Sequence, residues 1–224
     1  MLKIIKTRFL QGCRTLAFPK GKPPVLPARY RGRPIVAGRP DSLDLGKMTF
    51  IPDGDVVYSN DYRMAVSKRE DLLWKGKEDA LARALNTEML RIFGRSLKLR
   101  QVSAGGCNAC EMDLNVLNTP VFDLSRFGIQ FVASPRHADG IVVTGPISRN
   151  MKEALLKTWE AVPDPKIVIA VGACAISGGV FAESSEASKG LDTIIPVDLY
   201  IPGCPPHPLT ILDGLLRLLG RIKG

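Results

Sequence analysis

No apolar run in this 224-residue chain approaches the length of a membrane span. No secretory leader is visible, which points to a reducing compartment and away from disulfides. There are two histidines, and no Ser/His/Asp triad, Walker loop or GxGxxG motif, which argues against a nucleotide-dependent enzyme acting alone. Aromatic residues make up 6% of the chain, few lie among its basic residues, and no nucleic-acid-binding motif is present, so nucleic acid is not the expected partner. Acidic residues are scarce in one half. Residues 1–100 hold twenty-one Lys/Arg against ten Asp/Glu, while residues 101–224 hold ten against twelve. The basic half suits an anionic membrane surface or an acidic partner.

Cysteine is also sparse, with five in the chain, yet four of them share one context. Cys107 and Cys110 form a C-x2-C pair in a glycine-rich turn after the run Leu97–Val102. Cys174 follows Ile167–Val171, and Cys204 follows Val197–Ile201 and precedes Pro205 and Pro206. A further run, Ile141–Thr144, ends in Gly145-Pro146, and helix-like segments (Asn150–Ala161, Pro208–Ile222) lie between or after the runs. Apolar strands alternating with helices predict a parallel sheet covered on both faces. The first run is the least apolar and is expected nearer an edge. In such sheets the loops at the strand carboxyl ends lie together. Three strand ends can therefore bring the four thiolates to one iron–sulfur cluster. The surrounding glycines, Gly105, Gly106, Gly172, Gly178, Gly179 and Gly203, permit the bends and let amides approach sulfur. Structural zinc remains a rival, although it is usually held by two close C-x2-C pairs and here there is one. Four buried, unliganded cysteines are the plainer alternative.

The segments GGCNACEMDLN, RFGIQFVASPRHADGIVVTGPISRNM, DPKIVIAVGACAISGGVF and IPVDLYIPGCPPHP carry a resemblance. From about Lys98 onward the chain resembles the small electron-transfer subunit of membrane-bound group 4 [NiFe] hydrogenases, the formate hydrogenlyase type. The cluster-bearing B subunit of complex I is a cousin. Complex I subunits carry two adjacent cysteines at the first ligand site, whereas Cys107-Asn108-Ala109-Cys110 is similar to the hydrogenase pattern. The resemblance implies a flavodoxin-like α/β fold with the cluster at the carboxyl ends of the strands. It implies one [4Fe–4S] cluster held by Cys107, Cys110, Cys174 and Cys204, and no catalytic residue in this chain. It also implies a large [NiFe]-type catalytic partner, with ferredoxin-like and membrane subunits in the same complex. The expected location is cytoplasmic, peripheral on the inner face of the cell membrane.

The division expected is a basic extension, 1–96, and a cluster-binding domain, 97–224. In Met1–Phe18, Leu2, Ile5, Phe9 and Leu10 fall near one helical face, suited to a membrane surface, to membrane subunits or to packing on a neighbour. Cys13 reads as a packing residue. Residues 19–40 are rich in Pro, Gly and Arg and read as an extended arm that gains order on other subunits. The stretch Leu43–Ser59, with RYRGRP before it and NDYRMAVSKREDLL after it, resembles a ferredoxin-like subunit that has lost its cysteines. The C-x2-C-x2-C-x3-C-P positions fall on Met48, Ile51, Gly54, Tyr58 and Ser59. A chance likeness around a β-hairpin is the alternative. Ser67–Phe93 is expected to be mostly helical and to stop at Gly94.

Near the cysteines, Glu111 and Asp113 are expected either to support a helix N-terminus or to tune the cluster. Arg136 and His137 are candidates for the cluster surroundings or a subunit interface, and His207 for a turn. The function expected is an electron relay to or from the [NiFe] subunit of an energy-converting hydrogenase. The alternatives are a complex I-like quinone or other-acceptor oxidoreductase, and a zinc-stabilised scaffold.

Overall fold

The computed structural model describes residues 2–21, 24–36, 43–44, 56–74 and 81–222. Five parallel strands form the central sheet: β5 (Leu97–Ser103), β6 (Ile129–Phe131), β7 (Gly140–Thr144), β8 (Ile167–Val171) and β9 (Leu199–Ile201). Their order is β6-β5-β7-β8-β9, with β5 running parallel to both β6 and β7. This is the flavodoxin-like order, and its switch point lies between β5 and β7. The edge position belongs to β6; β5, expected near an edge, is one place in.

Alternation along each strand sorts the core into two layers. Ile167, Ile169 and Val171 join a cluster with Leu199, Ile201 and the leucines of helix α6 (Pro208–Leu218). Val168 and Ala170 face the other way, with Val143, Ile147 and Leu155 of helix α4 (Arg149–Glu160). Helix α3 (Ala109–Val116) contributes Leu114 to the first layer, and the short helix α5 (Ala173–Ser177) contributes Ala175 and Ile176 to the second. With both faces covered, every residue of β7 and β8 is buried, which explains why these strands are apolar without alternation.

Described residues of the amino-terminal region lie against the rest of the chain. Every residue of α6 is buried, an unusual state for a helix on the outside of such a sheet. The cover comes from residues before 97. The Tyr30 hydroxyl meets Thr210 Oγ1 at 3.3 Å, the Leu85 amide donates to the Leu218 carbonyl, and Val66 bridges Tyr200 of β9. Ala65, Ala82 and Phe93 lie in the same core layer as α6. Residues 12–21 also hold to the body, where the Leu16 amide donates to Val121 O and Arg126 Nη2 donates to Phe18 O. Residues 24–33 carry no helix or strand, whereas Pro34–Val36 form a short strand.

Before the sheet come helix α1 (Leu2–Gln11) and short antiparallel pairings. β1 (Pro34–Val36) pairs with β3 (Val56–Tyr58), and β2 (Leu43–Asp44) pairs with β4 (Leu73–Trp74). Tyr58 thus sits in a strand opposite Pro34, with Arg31 over its ring. Met48, Ile51 and Gly54 lie outside the described residues. The long helix expected over Ser67–Phe93 is not formed. A 3-10 turn covers Arg69–Leu72, β4 follows, residues 81–86 carry no regular structure, and α2 spans Thr87–Phe93. Asn86 sets that late start, its side chain accepting from the Met89 amide as an N-cap.

Candidate metal centre

Three strand ends deliver the four cysteines. The loop after β5 carries Cys107 and leads into α3, whose first turn carries Cys110. Asn108 enters that helix in the left-handed region at φ 69°. The turn after β8 leads directly to Cys174 in α5, and the loop after β9 carries Cys204. These loops are tied to one another. The Gly172 amide donates to Ile201 O at 2.9 Å and the Ala173 amide to Gly203 O at 2.8 Å. On the other side the Ala104 amide donates to Thr144 O at 2.8 Å.

Two glycines stand where a side chain would meet sulfur. A Cβ on Gly172, at φ +90°, would lie 2.6 Å from Cys110 Sγ. One on Gly179, at φ +54°, would lie 2.9 Å from Cys174 Sγ. Space at both positions is therefore reserved for the thiols.

All four thiols are free, Cys107 and Cys204 exposed and Cys110 and Cys174 half-buried. They share one electrostatic environment. Burial pushes the Cys110 thiol up, and the charges of Glu111, Cys204, Cys174 and Cys107 push it further. Cys174 is raised by burial and by Cys107 and Glu111. Cys204 is pushed up to about 11 by burial and by Cys174 and Cys107. Negative charge on neighbouring cysteines thus opposes ionisation of Cys110, Cys174 and Cys204, an opposition that bound cations would relieve. Among the described residues no three His, Cys, Asp or Glu side chains are close enough to hold a single ion. Four cysteines are a donor set that fits an iron–sulfur cluster.

Glu111 is the buried carboxylate of the site, 5% exposed. Its Oε1 accepts from Ser103 Oγ and from Thr144 Oγ1, each at 2.6 Å. Burial works to raise its pKa, but the hydrogen bonds from Ser103, Thr144 and its own backbone outweigh that and hold it below the usual value. The carboxylate therefore fastens α3 to the ends of β5 and β7 at the switch point, beside Cys110. Thr144 closes an otherwise apolar strand and Ser103 closes β5. A small hydroxyl ending each strand was the signal for these two residues, and sequence reasoning did not use it.

Beside Cys204 lies a cavity of ≈ 330 Å³ lined in part by Arg29, Tyr30, Arg31, Asp113 and His207. Burial raises the Asp113 carboxyl. His207 caps α6, its Nδ1 accepting from the Leu209 amide at 3.2 Å, and its ring meets Tyr30 edge-on. Arg29, Tyr30 and Arg31 open the RYRGRP stretch that resembles a ferredoxin-like subunit, and nothing in that likeness placed them beside Cys204. Arg136 and His137 belong elsewhere. They lie just before β7, at the amino-terminal ends of the strands and so opposite the cysteine loops, in a hollow with Asp139 and Pro163. Cys13 is exposed rather than packed, 3.8 Å from Arg8 Nη2, and its thiol is lowered chiefly by hydrogen bonding to Thr15.

The family model described as NADH ubiquinone oxidoreductase, 20 Kd subunit, matches residues 107–218. Formate hydrogenlyase subunit 7 of Escherichia coli is 44% identical over 140 residues, 62% of this chain and 55% of that one. The probable membrane-bound hydrogenase subunit mbhJ of Pyrococcus furiosus is 44% identical over 135 residues, 60% of this chain and 81% of that one. Among solved structures, a chain of the membrane-bound sulfane sulfur reductase, an archaeal respiratory membrane complex, aligns with TM-score 0.53 at 35% identity. That alignment covers 61% of this chain and 75% of the other. The chain thus spans little more than half the length of its Escherichia coli relative.

Proposed function

Because the chain belongs to the family of the 20 Kd subunit of NADH ubiquinone oxidoreductase, we propose that it is an electron-relay subunit holding one [4Fe–4S] cluster on Cys107, Cys110, Cys174 and Cys204. Subunits of this family bind an iron–sulfur cluster and work within oxidoreductase complexes. The observation that carries the finer reading is the convergence of four free thiols from three strand ends, each in the electrostatic field of others. When bound, such a cluster takes up and returns one electron at a time. The chain's own groups set the surroundings. Glu111 holds a negative charge beside Cys110, and Gly172 and Gly179 keep the space next to two sulfurs open.

The catalytic chemistry belongs, in this reading, to a large [NiFe]-type partner. Met112, Val180 and Phe181 are exposed by 62, 56 and 47% and neighbour Cys110 and Cys174 in the chain. They form an apolar rim suited to that partner's docking. Residues 1–96 serve as the docking extension and 97–224 as the cluster domain, in a complex peripheral to a membrane. Among the described residues no helix is long and apolar enough to cross one. A second reading keeps the relay but replaces hydrogen with another acceptor. The likeness to a chain of a sulfane sulfur reductase favours it.

Metal and acid-labile sulfide analysis of the full chain tests the proposal. About four irons per polypeptide with a reduced-cluster EPR signal are expected. Stoichiometric zinc in place of iron would overturn it. Nickel in the co-purified large subunit separates hydrogenase from the second reading.

A further inference from the structure

Helix α1 carries an apolar stripe that does not pack on its own domain. None of its residues is buried. Lys3, Thr7, Arg8 and Gln11 line a shallow hollow with Ile4, the turn after the helix and Pro120. Leu2, Ile5 and Phe9, spaced as one helical stripe, do not line it and are exposed by 86, 55 and 89%. Leu10 beside them is exposed by 76%. The apolar stripe lies outside this hollow and is left in the open, with basic side chains beside it that are exposed as well.

The segment that follows the helix is tied to the rest of the chain. The chain turns at Gly12, and Thr15 Oγ1 donates to Pro120 O at 2.9 Å while the Leu16 amide donates to Val121 O at 2.8 Å. Pro120 and Val121 follow the end of α3, whose start carries Cys110. The stripe is therefore presented from the far end of α3, away from the cysteine rim.

Charge decides what covers it. Residues 1–40 contain ten Lys/Arg and no Asp/Glu, and α1 itself carries Lys3, Lys6 and Arg8. We propose that α1 is an interfacial anchor that lies on an anionic lipid surface, its Leu2/Ile5/Phe9 stripe in the acyl boundary and its lysines and arginine at the headgroups. This goes beyond the electron-relay reading and does not depend on it.

The test is flotation of the full chain with phosphatidylcholine vesicles, with and without phosphatidylglycerol. Partition onto the phosphatidylglycerol vesicles is expected and should weaken as salt rises. The pair Ile5→Glu/Phe9→Glu should lower it at least tenfold. The triple Lys3→Gln/Lys6→Gln/Arg8→Gln should lower it on the order of a hundredfold. These side chains are exposed, so folding is unaffected, which circular dichroism checks. Absence of flotation, equal binding to neutral vesicles, or indifference to either variant overturns the proposal. If the chain ignores lipid but Ile5→Glu/Phe9→Glu strips it from its complex or breaks a self-association, the stripe docks on protein and the lipid anchor is wrong.

Discussion

Thr144 Oγ1 donates to Glu111 Oε1 across 2.6 Å, joining the end of β7 to the first turn of α3 next to Cys110. This one contact links strand register, helix placement and the charge beside a proposed cluster ligand.

Replacing Glu111 with Gln should therefore act twice. It removes a negative charge beside the cluster, so the midpoint potential in an EPR-monitored redox titration should rise. It also weakens charge-assisted hydrogen bonds, at a cost of about 1–2 kcal/mol at neutral pH. The folded pKa of Glu111 lies below its ordinary 4.5, so its stabilisation is complete above that pH and is lost as pH falls through the folded value. Acid unfolding of Glu111→Gln should be correspondingly less steep in that window. An unchanged acid profile would show that another group governs it.

The ligand assignment predicts a contrast among cysteines. Cys174→Ser or Cys204→Ser should abolish or alter the reduced-cluster EPR signal, whereas Cys13→Ser, on an exposed thiol outside the rim, should leave it intact. Loss of the signal in the Cys13 variant alone would refute the assignment.

Gly172→Ala places a methyl 2.6 Å from Cys110 Sγ at a φ of +90°. Backbone strain of this kind costs on the order of 1–3 kcal/mol. Iron content per folded chain should fall more than the helical circular dichroism does. Full iron loading would mean that the loop yields without moving the thiol.

The buried pair Asp213–Arg217 joins at 2.7 Å on α6, the two side chains 2 and 4% exposed. Asp213→Ala strands a buried guanidinium and should cost about 3–5 kcal/mol in chemical denaturation. Replacing both with leucine should cost far less. A double variant as unstable as the single one would show that the charge is not what matters.

Deleting residues 1–40 should leave about four irons per chain while weakening association with membrane subunits. It should also lower the melting temperature, because Tyr30 and its neighbours no longer cover α6. A truncated chain that assembles and melts like the full one would remove the docking role from this segment.

The sequence by itself determined the sheet. Runs such as Ile167–Val171 are apolar at every position, and only a strand covered on both faces has use for that. Cysteines placed at three strand ends marked the rim, since parallel strands bring their carboxyl ends together whatever the intervening length. Tertiary structure decided what depended on contacts remote in the chain. Glu111 is a helix-start residue in sequence, and it becomes a buried tie only because β5 and β7 are neighbours and end in Ser103 and Thr144. The proline-rich arm shows no periodicity, so its seat over α6 was invisible. That seat is held by scattered contacts, from Tyr30 to Thr210 and from Arg126 to Phe18. The helix expected over Ser67–Phe93 failed for the same reason. Ala82, Leu85 and Phe93 are spaced as one helical face, but among the described residues they reach the core of α6 from irregular chain and from the helix that starts at Thr87. Likewise α1 was amphipathic in sequence, but only the fold showed that its apolar stripe stays exposed.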